Sequence, residues 1–297
     1  MMRSLYSGVS GLRSHQTRMD VIGANIANVN TVGFKSSRVT FRDVLYQSYS
    51  SAGTPTVDGD NPRGGTNPYQ IGLGVQVASI DMLNTRAGPQ TTDRPLDCYI
   101  DGEGYFRVQD PKGIDYYTRV GNFFIDAAGR LVDSNGNFVL GRLGDEVEAD
   151  LDAGYEAVPI HLNLGEDATI PTADEPGWTR YTQIAISTDG IITGYDTEAQ
   201  EVATLAQIVL YKFPNNDALE QQGNTYLLPT NNSGEAIIAQ PGLNGTGKIA
   251  TARLEMSNVD LSKEFTDMIV TQRGFQANSR IITVSDSMLE ELVNLKR

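Results

Sequence analysis

Apolar residues at the start of the chain recur at alternating steps of four and three residues. This spacing places side chains on one face of an α-helix. The stripe continues over about seven helical turns, so it predicts an amphipathic N-terminal helix. Its apolar members are Leu5, Val9, Leu12, Met19, Ile22, Ile26 and Val29.

The other end of the chain carries a second stripe with the same spacing, which predicts a C-terminal helix. Ser257, Asn258 or Asp260 precedes the stripe and is expected to cap the first turn through a side-chain oxygen. The apolar members of this stripe are Leu261, Phe265, Met268, Phe275, Ile282, Leu289 and Val293.

Both stripes are imperfect, because polar residues or glycine occupy positions that a self-sufficient coiled coil fills with Leu or Ile. These positions are Gln16, Gly23, Gln272, Ser279 and Asp286. Each helix alone is therefore expected to be marginal. We expect the two helices to pair as a coiled coil and to meet those of other copies, with folding coupled to assembly through the apolar members of both stripes. The alternative is that both helices pack on the protein's own core.

Between the two stripes, the composition changes twice. Residues 31–70 are rich in Ser, Gly, Thr, Asn and Pro and show no sustained period, so they predict a long connector. From residue 71 onward, short apolar and β-branched runs are separated by Asp-Gly, Ala-Gly and Asn-Gly, which predicts antiparallel hairpins. Residues 143–179 are richer in Asp, Glu and Pro and predict an insertion that divides the β region.

This order of elements predicts a multi-layer α+β fold in which the domains are nested rather than consecutive. The predicted domains are a terminal helical domain of residues 1–30 and 257–297, a connecting segment of residues 31–70, a β-rich domain of residues 71–142 and 180–256, and a small insertion or reduced outer domain of residues 143–179.

The net charge of −14 opposes a nucleic-acid or anionic-membrane partner, since both require basic patches. Cys98 is the only cysteine, which excludes an intramolecular disulfide, and we expect it to be a small buried apolar residue.

The chain has no apolar run of about 18 residues or more, so we expect no membrane insertion. Its start lacks the apolar core of a cleavable signal peptide, which leaves a cytoplasmic protein or one exported by a route that reads an uncleaved N-terminus.

Three motifs resemble ligand sites only in part. The sequence GLNGTGK from Gly242 has Ile249 where a phosphate-binding loop needs Ser or Thr. GLGVQV from Gly72 lacks the third glycine of a dinucleotide fingerprint, and DSNGNF from Asp133 lacks the closing Glu of a calcium loop. We therefore expect turns at these motifs and no bound cofactor. With only two histidines, neither a His-based triad nor a zinc site is expected.

Two further alternatives involve carbohydrate. Asp97, Asp101 and Glu103 could supply an acid and a base for glycoside hydrolysis, although exposed strand and turn positions are the favoured explanation for them. Trp178 and the 13 tyrosines could form a sugar-binding platform, but Tyr is also ordinary on β surfaces. Because no catalytic constellation is complete, we expect a protein without enzymatic activity.

The segment ANIANVNTVGFK, from Ala24 to Lys35, resembles the Asn-rich signature of the flagellar rod and hook proteins. That family places it at the end of the first helix and usually has Asn where this chain has Ala24. The residues that match are Asn25, Ala27, Asn28, Thr31, Gly33, Phe34 and Lys35. The stretches DGEGYFRV and YYTRVGNFFIDAAGRLV extend the resemblance, while GVSGL, RVTF and GFQANSR make the chain more similar to hook than to distal-rod proteins.

The resemblance implies a structural subunit of the hook, whose terminal helices form the inner tube of a flexible helical polymer that joins rod to filament and transmits torque. A distal-rod subunit is the alternative. It also implies contacts with further copies, with rod and hook–filament junction proteins, with a hook cap and with the flagellar type III export apparatus. The location implied is the extracellular part of the flagellum.

Overall fold

The computed structural model describes residues 2–55, 64–144, 157–162, 181–196 and 200–295. It contains two long helices, α1 at Met2–Ala27 and α2 at Leu261–Asn294. Twenty-one strands lie between them. They are β1 Ser37–Asp43, β2 Tyr46–Ser50, β3 Tyr69–Gly72, β4 Val75–Met82, β5 Pro89–Thr91, β6 Cys98–Asp101, β7 Phe106–Gln109, β8 Asp115–Thr118, β9 Phe124–Ile125, β10 Leu131–Val132, β11 Phe138–Leu143, β12 Val158–Pro159, β13 Tyr181–Ile186, β14 Ile191–Asp196, β15 Val202–Ile208, β16 Leu210–Lys212, β17 Glu220–Gly223, β18 Tyr226–Leu228, β19 Ile237–Ala239, β20 Lys248–Thr251 and β21 Arg253–Glu255. The predicted α+β class, with helices at both ends and a β-rich middle, is confirmed.

The chain divides into two compact units. The helical unit combines Met1–Asn28, Ser36–Leu83 and Val259–Arg297. The β unit combines Val29–Lys35 and Asn84–Asn258.

In the helical unit, α1 and α2 are accompanied by two short antiparallel ladders. Strand β1 pairs with β4, and strand β2 pairs with β3. Strands β1 and β2 lie inside the segment that the sequence predicts as a connector. This part of the segment therefore has regular β structure, where a loop was expected. The seven residues of β1 alternate apolar Val39 and Phe41 with polar neighbours, a period of two that the surrounding Ser- and Gly-rich composition obscured.

The two helix ends test the capping predictions. Asp260 caps α2, because its Oδ1 accepts hydrogen bonds from the backbone N–H of Ser262 at 2.9 Å and of Lys263 at 3.4 Å.

The end of α1 is earlier than predicted. Asn28 donates its side-chain Nδ2 to the carbonyl of Ala24, which satisfies one of the last carbonyls of the helix at 2.9 Å. The placement of Val29 in this helix is therefore wrong.

The β unit is built around an antiparallel sheet whose main path runs β13-β14-β15-β11-β7-β8-β18-β17, with β9, β10 and β12 attached to it. The predicted hairpin turns are present. At Asn135-Gly136 and at Asp189-Gly190, each glycine has a positive φ, of 84° and 77°, which a residue with a Cβ adopts only with strain.

The core of the β unit is made of apolar side chains from the sheet and its flanking ladders. Phe106 and Phe123 meet edge to face at 5.1 Å between ring centroids, and both are fully buried. Cys98 is fully buried as predicted, and its burial, together with the nearby Asp97, raises the pKa of the thiol.

Most of the predicted insertion at 143–179 lies outside the described residues. Of it, residues 143–144 and 157–162 are described: β11 ends at Leu143, β12 pairs with β11, and Ile160 and Leu162 are buried in the core. In the part of the chain that the structure describes, neither helix has the length and apolarity needed to cross a lipid bilayer.

Replacement of Gly121 by Ala is expected to destabilise the β unit. A Cβ at this position would lie 2.0 Å from the carbonyl oxygen of Cys98, a backbone atom that cannot move aside alone. We expect the free energy of unfolding to fall by about 3 kcal/mol or more. Gly88→Ala is the control, because nothing lies within 4 Å of its Cβ position, and it is expected to change stability by less than about 0.5 kcal/mol. Urea unfolding monitored by tyrosine fluorescence measures both, and equal effects would contradict the clash.

Candidate assembly surface

The helices α1 and α2 lie side by side and antiparallel within the helical unit. The hydroxyls of Ser4 and Ser285 are 3.5 Å apart near one end of the pair. Near the middle, Arg18 donates from Nη2 to Oδ1 of Asp267 at 3.0 Å. At the other end, Asn25 donates from Nδ2 to Glu264. These pairs define the register of the two helices.

The surfaces that meet are made of glycine and small or polar side chains. A Cβ on Gly8 would lie 3.3 Å from Cγ1 of Ile282, and a Cβ on Gly11 would lie 2.7 Å from Nδ2 of Asn278. On the opposite helix, a Cβ on Gly274 would lie 2.8 Å from the ring of His15. The backbones therefore approach closely at three glycines, in the manner of helix pairs that pack through small residues.

The contacting face of α1 has its own four-three spacing. Its members are Ser4, Gly8, Gly11, His15, Arg18 and Asn25. Each lies one residue before a position of the predicted apolar stripe, which rotates the face by about 100° around the helix. On α2, the contacting residues Glu264, Asp267, Gly274, Asn278 and Ser285 show the same displacement, while Ile282 is a member of the predicted stripe that also reaches the contact. A search for apolar periodicity missed this face, although a search for small residues at the same period would have found it.

The predicted apolar residues of α1 consequently flank the contact or lie away from it. Ile22 is buried and Val9 is exposed, while Val29 is half-buried beyond the end of the helix. The half-buried members are Leu5, Leu12, Met19 and Ile26.

The predicted stripe of α2 is also divided. Ile282 contacts the backbone of α1 at Gly8. The other half-buried members are Met268, Phe275 and Leu289, and the exposed members are Leu261, Phe265 and Val293.

A further apolar row on α2 is exposed and was not predicted. Ile281, Val284, Met288 and Leu292 are spaced by three or four residues, and between 42% and 55% of each side chain is accessible. Apolar side chains in such a row form a continuous patch on a helix, a feature of surfaces that bind other proteins. The β2–β3 ladder and its flanks add exposed apolar side chains at Leu45, Tyr46, Tyr49, Tyr69, Ile71 and Leu73.

Two titratable groups lie in the helix contact. Burial, and then the charge of Arg18, lowers the pKa of His15, so the neutral imidazole is favoured in the folded pair. Burial raises the pKa of Glu264, which the hydrogen bond from Asn25 opposes. The contact thus favours uncharged forms at both positions.

The first half of the signature joins three elements of the helical unit through Asn25. Its side chain is 2% exposed. Nδ2 donates to the carbonyl of Ser37 at 2.9 Å and to Glu264 at 3.2 Å, and Oδ1 accepts from the N–H of Ser37 at 3.0 Å. An amide that donates and accepts in this way satisfies both backbone groups of Ser37 at the start of β1 and links them to a side chain in the first turn of α2.

The second half of the signature lies in the β unit, so the structure does not bring the whole motif into one site. Gly33 has a φ of 69° and donates its N–H to the carbonyl of Glu255 at 2.8 Å. Phe34 is half-buried, donates its N–H to the carbonyl of Thr31 at 3.3 Å and accepts from the N–H of Asn258 at 3.4 Å. Ala27, the last residue of α1, is exposed.

Lys35 completes the signature as a buried cation. Its Nζ donates to Oε1 of Glu255 at 2.6 Å and to the carbonyl of Thr85 at 2.9 Å. Arg119 reaches Oε2 of the same carboxylate at 3.5 Å. Burial lowers the pKa of Lys35, and Glu255 opposes that shift. Sequence reasoning missed Glu255 and Arg119, because nothing in the local pattern around either residue indicates a distant cation or carboxylate.

The residues considered for other chemistry occupy separate places in the β unit. Asp97 is buried, with Arg94 at 3.9 Å, while Asp101 pairs with Arg86 and Glu103 pairs with Lys212. The motif at 242–248 forms a turn before β20, and the motif at 133–138 forms the hairpin turn between β10 and β11, as expected. Position 178, with the only tryptophan, lies outside the described residues.

The charge of the chain is divided unevenly between the units. The sequence ranges of the helical unit hold 11 Lys and Arg against 11 Asp and Glu, whereas those of the β unit hold 12 against 26. The whole net charge of −14 therefore belongs to the β unit.

Three family models match separate parts of the chain. The model described as the flagellar hook protein FlgE/F/G D1 domain matches residues 99–194. The model described as the flagellar basal body rod FlgEFG protein C-terminal matches residues 250–295, and the flagella basal body rod protein model matches residues 5–35. The matched regions include both helices and much of the sheet.

Several curated proteins are similar over their full lengths. The flagellar basal-body rod protein FlgG of Bacillus subtilis is 45% identical over 300 residues, which covers all of both chains. In Borreliella burgdorferi, the rod protein FlgG is 34% identical over 300 residues and the hook protein FlgE is 32% identical over 446 residues, again with full coverage of each chain.

Gly11→Ala and Gly23→Ala form a matched pair that tests the helix contact. Both replacements improve helix propensity in α1 by about 0.5–1 kcal/mol. A Cβ at Gly11 meets the side chain of Asn278, whereas nothing lies within 4 Å of one at Gly23. We expect Gly11→Ala to lower the free energy of unfolding by about 1–3 kcal/mol and Gly23→Ala to raise it. Urea unfolding of the full chain followed by helical circular dichroism measures the difference, and two stabilising substitutions would show that the glycine contact is absent.

Proposed function

Because the chain belongs to the family of flagellar hook and basal-body rod proteins, we propose that it polymerises through its terminal helices into the helical tube of the hook. A structural subunit of the flagellar hook or rod is the function that its relatives share. Two points are proposed beyond this shared function. They are the surface through which the copies associate and the structure, hook or rod, that they form.

The single observation that carries the proposal is the exposed apolar row of α2. The two helices meet mainly through their small-residue faces. Ile281 borders that contact, with Cγ2 3.8 Å from the Cβ position of Gly8, while Val284, Met288 and Leu292 remain exposed. Each of Ile281, Val284, Met288 and Leu292 would contribute about 1.5–3 kcal/mol if a neighbouring copy buried it completely. Repeated along a polymer, such contacts supply the association energy, and we propose that they are of the coiled-coil type.

The neutrality of the helical unit supports contact between copies at this surface. Equal numbers of acidic and basic residues allow many helical units to approach without accumulating charge, whereas the β units repel one another. We therefore propose that residues 1–30 and 257–297 form the inner tube, that residues 31–70 connect, and that residues 71–142 and 180–256 form an outer layer with residues 143–179 as an addition to it.

A tube of this kind uses one heterologous contact repeated many times. A head-to-tail contact whose rotation does not close generates an open helical filament instead of a ring. The proposed partners are further copies of the chain, rod and hook–filament junction proteins, a hook cap and the export apparatus. The proposed location is the extracellular flagellum. The proposed role is mechanical, without enzymatic activity or a cofactor.

The second candidate function is a distal-rod subunit, and a specific observation favours it. The rod protein of Borreliella burgdorferi aligns over 300 residues, about the length of this chain, whereas the hook protein of the same organism aligns over 446 positions. The motifs GVSGL, RVTF and GFQANSR favour the hook. The shape of the polymer separates the two candidates.

Val284→Glu is expected to abolish polymerisation while the subunit remains folded. A charge in the apolar row would have to be buried without a partner in the polymer, but it remains in water in the free chain. Ser287→Glu, which adds the same charge at an exposed polar position in the following turn, is the control and is expected to polymerise. Sedimentation and electron microscopy measure polymer formation. Normal polymers of Val284→Glu would exclude this row as the assembly surface.

The form of the assembled tube decides between hook and rod. We expect purified protein to assemble into curved tubes that supercoil, because the hook must bend as it rotates. Electron microscopy of tubes grown at physiological salt makes the comparison. Tubes that remain straight under all solution conditions would instead identify a distal-rod subunit, with the helical assembly itself unaffected.

A further inference from the structure

The chain passes between the two units four times, and a cluster of buried charges lies close in sequence to these passages. The passages follow residues 28, 35, 83 and 258. Within the β unit, Lys35 is the last residue before one passage, Thr85 follows another closely, and Glu255 shortly precedes the last. We call Lys35, Glu255 and Arg119 the crossing clamp.

Glu255 is the centre of the crossing clamp. Its Oε1 accepts from Nζ of Lys35 at 2.6 Å and from the N–H of Ala87 at 3.2 Å, and its Oε2 accepts from Nη1 of Arg119 at 3.5 Å. Its backbone carbonyl accepts from the N–H of Gly33 at 2.8 Å. One residue thus holds the segments at 29–35, at 84–88 and at 253–258 together.

Burial separates the crossing clamp from the other ion pairs of the β unit. The side chains of Lys35, Glu255 and Arg119 are only 5%, 0% and 7% exposed. By contrast, the side chains of Lys212 and Glu103 are 34% and 57% exposed. Solvent replaces a lost partner at an exposed pair. In the crossing clamp, loss of Lys35 leaves Glu255 with Arg119 at 3.5 Å as its cation partner, and loss of the carboxylate charge leaves two buried cations without a counter-charge.

Further contacts fix the same three segments. Asn258 donates from Nδ2 to the hydroxyl of Thr85 at 2.9 Å, and Met256 donates its N–H to the carbonyl of Gly88 at 3.1 Å. A Cβ on Gly33 would lie 2.8 Å from Cγ2 of Val120, next to Arg119, so the signature segment lies directly against the chain that follows β8. The crossing clamp is therefore connected to the large sheet through Arg119.

We propose that the crossing clamp positions the chain passages so that load carried by the helical unit enters the β-sheet through Glu255 and Arg119. The covalent chain at these passages is a path by which force passes between the two units. A buried ion pair resists separation of its two side chains. When they separate, the carboxylate has no new hydrogen-bond partner until water enters the site. The load-bearing part of this proposal rests on the proposed polymer, whereas the local clamp does not.

The clamp is tested by amide hydrogen exchange in the full chain. We expect Lys35→Met to accelerate exchange of the Gly33 and Ala87 amides by roughly a hundredfold, because both donate to Glu255. The amides of Ile208 and Tyr211, which donate to the carbonyls of Gly190 and Tyr105 elsewhere in the β unit, are expected to keep their wild-type rates. Lys212→Met is the matched control, since it removes a lysine from an exposed pair, and it is expected to leave Gly33 and Ala87 unchanged.

Two further variants, one that keeps the Lys35 charge and one that removes the Glu255 charge, keep the test valid if Lys35→Met does not fold. Lys35→Arg retains the charge and is expected to remain close to wild type at Gly33, whereas Glu255→Gln removes the charge and is expected to accelerate exchange locally. Unchanged exchange at Gly33 and Ala87 in Glu255→Gln or in Lys35→Met would overturn the clamp. A uniform acceleration that includes Ile208 and Tyr211 would overturn it too, because the residues would then only support global stability.

A mechanical measurement tests the role in load. Tubes assembled from Lys35→Arg and Glu255→Gln are compared by their bending fluctuations in light microscopy after attachment of labelled filaments. We expect Glu255→Gln tubes to bend several-fold more easily than wild type and Lys35→Arg tubes to remain similar. Equal stiffness in normally formed tubes would overturn the load-bearing role while leaving polymerisation intact, whereas failure of the wild-type chain to form tubes would remove the proposed function instead.

Discussion

The close approach of α1 and α2 at three glycines is the constraint on which the helical unit depends. Gly8, Gly11 and Gly274 bring the two backbones near enough for short polar side chains to bond across the pair. A face made of glycine, serine and asparagine buries little apolar surface. The contact therefore fixes the register of the two helices but contributes little hydrophobic free energy. The apolar side chains of both helices are consequently placed beside this face or away from it.

This arrangement explains why apolar periodicity predicted the helices well and the contact poorly. The four-three spacing located both helices, and one of the three capping residues predicted for the second, Asp260, is its cap. The same spacing is present in two registers one residue apart, however, and only the apolar register is visible on a hydrophobicity scale. The close face was readable only as a recurrence of small residues, as at Gly8 and Gly11, which in isolation resembles a weak helix.

Long-range polar contacts set a different limit on prediction. The antiparallel hairpins, the α+β class and the buried Cys98 follow from local pattern, and the structure agrees with them. The contacts of Lys35 with Glu255 and of Asn25 with Glu264 join residues more than 200 positions apart, so no local spacing indicates them. The signature residues could be identified by resemblance, but their separate roles in two units could not. Strand β1 was missed for a simpler reason. Its alternation of apolar and polar residues lasts for only seven residues and lies within a long Ser- and Gly-rich segment.

The uneven division of charge between the two units opposes aggregation of the free chain. An exposed apolar row on a helix promotes indiscriminate association, and the helical unit that carries it has no net charge to oppose this. The β unit is covalently attached and carries all of the net charge of −14, so copies in solution repel one another beyond the range of the apolar contact. In the proposed polymer, association would occur only where the geometry buries the apolar row completely enough to exceed that repulsion. A neutral contact surface and a charged attached unit together favour ordered addition over aggregation.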